Sequence, residues 1–211
     1  MDTKYIRDKV VDYTMQQLRF YGIKRIRMDD IAKGIGISKR TLYVLFKNKE
    51  ELIDTCLNIF SRSGRRLLSR NPQYDENEPI SGVLHVVNSY ITSIYLLQPN
   101  LLSELELCIL YSIKVQQEKR FWKLQLMQAL EKCKEQFCPV IENNIELLAI
   151  DILHLFYQNC INGQSYQSQL QIGYVLTRGL INSDRTPDFD MAVQIEWKKL
   201  IIILENLQRS Q

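Results

Sequence analysis

Apolar residues return at helical spacing almost from the start of the chain. From Arg7 to Tyr21, the residues Val10, Val11, Thr14, Met15, Leu18 and Tyr21 fall near one face, with Lys9, Asp12, Gln16 and Arg19 away from it. This predicts an amphipathic first helix, ended at Gly22. The stretch MDDIAKGIG predicts a short second helix. Asp29 and Asp30 stand in its first turn, at the positive end of the helix dipole, and Ile31 and Ile35 supply its buried face. Ala32 is small enough to let another helix approach closely. Further along, apolar positions recur through 83–97, 101–113, 121–137 and 145–160, and the polar, proline-bearing segment NPQYDENEP beyond Arg70 reads as a loop. No segment repeats another and none is of low complexity. The pattern predicts an all-α chain of about nine helices.

The most informative stretch runs from Gly36 to Phe46, GISKRTLYVLF. Gly36 takes positive φ at little steric cost, Ile37 plugs the gap between two helices, and Ser38 is a good N-cap for a new one. Two short helices joined by a brief glycine-containing turn form a helix-turn-helix. On the second of these, Leu42 and Phe46 are four apart and face a core, whereas Lys39, Arg40, Tyr43, Val44 and Lys47 lie on the other side. That outward face is basic and partly aromatic, which suits the major groove of a duplex: residues near the helix start reach base edges while Lys and Tyr hold phosphates. A further helix opens at Asn48, with Glu51 three residues on and Lys49 in the first helical position, and its leading amides are suited to gripping a phosphate.

Composition sharpens this picture. The chain has 211 residues, only 8 Gly and 5 Pro, and a net charge of +3, a balance that favours helices over a turn-rich β fold. The charge is uneven: residues 1–50 hold 12 Lys/Arg against 6 Asp/Glu, which leaves 15 against 18 for the rest. The basic end is the candidate surface for a polyanion. Five scattered cysteines, Cys56, Cys108, Cys133, Cys138 and Cys160, are odd in number and mostly flanked by apolar residues, which points to reduced thiols rather than a disulfide framework. Cys133 and Cys138 lack a second Cys/His pair nearby, so no metal site is expected, and no cofactor motif stands out. No basic segment precedes an apolar run at the N-terminus, and the uncharged stretches 79–103 and 152–177 are laced with Asn, Gln, Ser and Tyr, so buried helices in a cytoplasmic protein, with no membrane partner, are the expectation. With no Cys and His at recognisable spacing and no phosphate loop, an enzyme is not expected.

With these residues in view, the segment DDIAKGIGISKRTLYVLFKNKEEL resembles the DNA-binding signature of the tetracycline-repressor (TetR) family of regulators. The likeness extends over residues 4–64, with the helix-turn-helix at about 27–46 and helix four, from 48, as a connection. The resemblance implies a DNA-binding domain at 1–50 and a ligand-sensing, dimerising domain at 51–211. It assigns Lys39, Arg40, Thr41 and Tyr43 to DNA contact from the recognition helix, with Ser38 at its start and Lys47 and Lys49 against the backbone. The chain departs from the family pattern in two places. Arg27 stands where Thr or Ser commonly caps helix two; it cannot cap but can contact the backbone. Val44 and Leu45 replace an aromatic and a His, and Val44 is expected to meet a thymine methyl.

Two C-terminal segments carry apolar residues on more than one face. Ile145, Leu148, Ile152 and Phe156 belong to one stripe, joined by Leu147, Ile150 and Leu153 on a second surface; Val193, Trp197, Leu200, Ile201 and Leu204 form another, widened by Ile202 and Ile203. A helix apolar on two faces needs partners on both, and the same surface of a second subunit is one such partner, giving a homodimer whose expected interface is Ile145, Leu148, Ile152 and Phe156 with Val193, Trp197, Leu200, Ile201 and Leu204. The resemblance places a dimer bundle in the same two helices. Tyr90, Tyr95, Tyr111, Phe121, Trp122, Met127, Phe156 and Tyr157 are candidates to line a pocket for a small apolar or aromatic ligand. The expected function is a dimeric repressor of transcription, released from a palindromic double-stranded DNA operator by that ligand. The alternative is a DNA-binding adaptor that has no ligand and recruits a protein partner through its C-terminal domain.

Overall fold

The computed structural model describes residues 3–69, 79–137 and 144–180. Among them are nine α-helices: α1 (Thr3–Tyr21), α2 (Met28–Ile35), α3 (Lys39–Leu45), α4 (Lys49–Ser69), α5 (Pro79–Leu97), α6 (Pro99–Leu107), α7 (Ser112–Lys132), α8 (Ile145–Ile161) and α9 (Tyr166–Gly179). The all-α reading holds, and the helix boundaries have local causes. The chain leaves α1 through Gly22 at φ 72°, and α2 closes at Gly36 at φ 78°, whose amide donates to the carbonyls of Ala32 and Lys33. The apolar run 101–113 is not one helix. It breaks after Leu107 and resumes through a short 3-10 turn, Ile109–Tyr111, into α7.

Two apolar cores result. The first gathers Val10, Leu18, Ile31, Leu42, Phe46, Leu52, Ile53 and Cys56 from α1 to α4, and draws in Leu101 and Leu105 from α6. The second gathers Val83, Ile91, Trp122, Leu126, Ala149, Phe156 and Leu170 around α5, which α4, α7, α8 and α9 surround. Leu97 packs against both. Helix α4 runs unbroken across position 50, so the two regions share a rigid rod rather than a loose linker. The segment Ile80–Leu97 is long and apolar enough to span a membrane by length and composition, yet 67% of it is buried inside the protein. A helix buried to that extent is explained by its place at the centre of the second core.

The thiols follow from this packing. Cys56, Cys133 and Cys160 are buried, and desolvation pushes each up to about 12, with the Asp12 charge adding to the effect at Cys56. Because the folded value lies above the unfolded one of about 8.5, these thiols favour the fold fully below that pH, and the contribution fades as pH rises toward the folded value. The urea midpoint is therefore expected to fall between about pH 8 and about pH 11. Native alkylation near neutral pH is expected to reach the half-buried Cys108 well before the three buried thiols, as peptide mass mapping would show.

Candidate nucleic-acid interface

The α2–α3 unit is assembled by short-range bonds that its residue types dictate. Ser38 caps α3 in extended backbone, its Oγ accepting from the Thr41 amide at 3.0 Å and lying 2.8 Å from Thr41 Oγ1. Such a cap contributes about 1 kcal/mol. Leu42 and Phe46 are fully buried, and the Arg7 guanidinium lies 4.3 Å from the Phe46 ring centroid, so the ring ties α1 to the end of the recognition helix. With that face committed to the core, the opposite one is free. Val44 is 77% exposed and Tyr43 50%, and Lys39 and Arg40 are exposed beside them. Arg27 occupies the N-cap position of α2 without capping it by its side chain; the guanidinium is left to solvent.

The cations are not equivalent. Lys39 Nζ lies 2.5 Å from Asp29 Oδ2, an ion pair between α3 and α2 that raises the lysine above its ordinary range, first through the hydrogen bond. Both partners are exposed, so water and salt screen the pair. Lys47 is exposed, and its amide donates to Glu51 Oε2 at 2.8 Å while the Glu51 amide donates to Asn48 Oδ1 at 2.8 Å. The expected capping box thus closes one residue further out, and the Glu51 amide is taken by the cap. Lys49 is half-buried, its ammonium donating 2.8 Å to the Ile23 carbonyl, and so ties α4 to the turn between α1 and α2. That inward bond replaces the outward contact expected for it.

The same turn is held from the other side by a residue that the sequence pattern did not single out. Glu104 of α6 accepts from the Lys24 amide at 2.9 Å, and its carboxylate sits where a Cβ on Gly22 would fall, 2.7 Å away. Glu104 is 80 residues from its partner, beyond the reach of any local pattern.

The sequence of this module has known counterparts. A family profile for bacterial regulatory proteins of the tetR family matches residues 10–56, from within α1 into α4. These residues carry the tetR-family module. A relative, the biofilm operon icaADBC HTH-type negative transcriptional regulator IcaR of Staphylococcus epidermidis, is 30% identical over 90 residues. That match covers 41% of the chain and 45% of the relative, so less than half of the relative's length is spanned. The fold extends the likeness to the whole chain. A gamma-butyrolactone receptor (ArpA like protein) superposes with a TM-score of 0.72 at 15% identity, covering 94% of this chain and 100% of the other. The ketosteroid transcriptional regulator KstR2 of Mycobacterium tuberculosis superposes with a TM-score of 0.61 at 16% identity, covering 84% and 95%.

The remaining expected residues divide. A cavity of about 100 Å³ lies between the two cores, lined by Tyr90, Tyr111, Trp122 and Tyr157 together with Phe60, Gly64, Leu102 and Leu105. The other expected pocket residues do not line it. Tyr95 turns outward, its hydroxyl donating to the Gln164 carbonyl at 2.7 Å. Phe121 packs edge-on against Trp122 under the Arg65 guanidinium, Met127 is half-buried against the core, and Phe156 is fully buried within it. The expected interface on α8 is likewise corrected. Ile145, Ile152 and Phe156 are buried in the protomer's own core and Leu148 packs against it, because α5 and α7 cover that stripe. Leu147, Ile150 and Leu155 remain exposed instead, with Val175 on α9. Val193, Trp197, Leu200, Ile201 and Leu204 lie outside the described residues.

Proposed function

We propose that the chain is a dimeric repressor of transcription that acts in the cytoplasm, binds a palindromic DNA operator through residues 1–50, and is released when a small molecule enters residues 51–211. The observation that carries the DNA reading is the division of α3. Leu42 and Phe46 are fully buried while the basic, aromatic face of Lys39, Arg40, Tyr43 and Val44 points away from the protein. In this reading Arg40 reaches bases, Val44 meets a thymine methyl, and Arg27, Ser38, Lys39, Thr41, Tyr43 and Lys47 meet the backbone. The description of the staphylococcal relative as a negative regulator supports repression.

Dimerisation is supported by the exposed apolar residues Leu147, Ile150, Leu155 and Val175, which need cover. Two recognition helices about 34 Å apart would then read one palindrome. Release by a ligand is supported by α6, which touches both the cavity and the DNA-reading module: Leu105 lines the first, and Glu104 holds the Lys24 amide of the second. A ligand that displaces α6 would move the turn between α1 and α2 with it, provided it binds the displaced state more tightly.

Selection from random duplexes at physiological salt tests the proposal, and a two-fold symmetric consensus is the expected outcome; enrichment of no sequence would refute it. The lysines separate positioning from structure. Lys47→Ala should weaken binding to all duplexes alike and reduce the slope of log K against log salt by about 1. Lys49→Met should leave that slope nearly intact and lower the urea midpoint, since its ammonium serves the Ile23 carbonyl.

A further inference from the structure

The cleft between α7 and α8 carries chemistry that the cavity alone does not. It has a volume of about 640 Å³, and Trp122 and Tyr157 form its floor. Its rim is built from Lys119, Arg120, Lys123 and His154, and no carboxylate lines it. This is notable in a region, 51–211, whose acidic residues outnumber its basic ones by 18 to 15. Glu106 and Glu146 hold Lys119 and Lys123 at 2.9 Å each, whereas Arg120 and His154 make no ion pair among the described residues. Tyr157, Trp122 and Lys119 line the inner cavity as well, so one wall separates the two spaces. Lys119 Nζ stands 5.0 Å over the Tyr157 ring at that wall. The other charged residues that line the cavity are paired, Lys114 with Asp54 and Glu118 with Arg65.

We infer that this cleft and the cavity behind it form one site for an amphipathic organic anion, its apolar or aromatic body against Trp122 and Tyr157 and its charged group at Arg120 and Lys119. This rests on the ligand reading above and adds the ligand's charge to it. An uncharged apolar molecule would use only the inner cavity and leave the cationic rim without a role. An anion draws on both: the aromatic floor supplies contact area, and Arg120 supplies an unpaired planar donor for a carboxylate or sulfonate. Lys119 can exchange Glu106 for the ligand without leaving the ring face.

Two fluorescent probes with similar aromatic bodies test this on the full-length protein: anilinonaphthalene sulfonate, an anion, and uncharged phenyl-naphthylamine. The sulfonate should bind saturably, more weakly as salt rises, and quench Trp122 emission in a Trp197→Phe background. Arg120→Gln should weaken it about tenfold, and Arg120→Lys, which keeps the charge, by much less. Binding of the naphthylamine should change less than about twofold in both variants. Absence of saturable sulfonate binding, or equal effects of Arg120→Gln on both probes, overturns the inference. DNA binding measured in parallel separates the two claims. A sulfonate bound in the charge-dependent way that leaves the protein on DNA supports the site and removes the release mechanism. Release by the naphthylamine alone keeps the release mechanism and overturns the anion site.

Discussion

Phe46→Ala is expected to destabilise the protein by about 3–5 kcal/mol, the usual range for deleting a fully buried phenyl ring. The ring is fully buried at the point where α3 ends, among the residues of α1 and α4 that form the first core. Its loss leaves a cavity there and removes the surface on which the Arg7 guanidinium rests. Denaturant unfolding measures the loss. A drop below about 1 kcal/mol would mean that the neighbouring helices collapse into the space, contrary to the packing of close-fitted cores. DNA binding should fall in parallel, because α3 would lose the contact that aims its outer face. Arg7→Ala, which keeps the ring, should cost much less, about 0.5–1 kcal/mol at a half-exposed site.

The double variant Arg40→Ala/Val44→Ala is expected to lose at least about thirtyfold in affinity for the selected operator while its thermal midpoint stays where it was. Both side chains are exposed and neither contributes to the core, so stability has little to lose. Each base contact is worth about 1–3 kcal/mol, and two together come to about thirtyfold or more. Affinity for random duplex should change far less, since the phosphate contacts remain. Titration against operator and scrambled duplexes at one salt concentration decides it; equal losses on both would assign these side chains to the backbone instead. Asp29→Asn offers a contrast, because freeing Lys39 from its ion pair should raise affinity for both duplexes alike.

The helix-turn-helix was legible in the chain because the bonds that build it are short. Ser38 caps Thr41 three residues away, Gly36 closes α2 onto Ala32 and Lys33, and Asn48 caps Glu51. Residue types alone set such contacts, and an unbroken run of them also located the outward face of α3. The cations were misjudged where their partners were distant. Nothing near Lys49 in sequence indicates that it will bond Ile23, 26 residues back, and nothing near Glu104 indicates Lys24. The periodicity of α8 identified a helix with apolar residues on two faces but could not say which face the protomer keeps. The stripe through Ile145, Ile152 and Phe156, expected at the dimer interface, is covered by α5 and α7. Of the eight expected pocket residues, Tyr90, Tyr111, Trp122 and Tyr157 line the cavity and the other four do not, a distinction that depends on how five helices meet.

What the sequence by itself determined is therefore the all-α architecture, the position of each cap and turn in the first fifty residues, and the likeness of residues 10–56 to the tetR-family module. These rest on interactions within one or two helical turns, whose energies depend on residue type more than on surroundings. Tertiary structure alone decided which of two apolar faces is buried, which lysine serves the fold rather than a ligand, and where Lys119, Arg120 and Lys123 gather between α7 and α8. Those outcomes depend on contacts between segments 26 to 80 residues apart, where the same side chain can satisfy itself in several ways until packing leaves one of them.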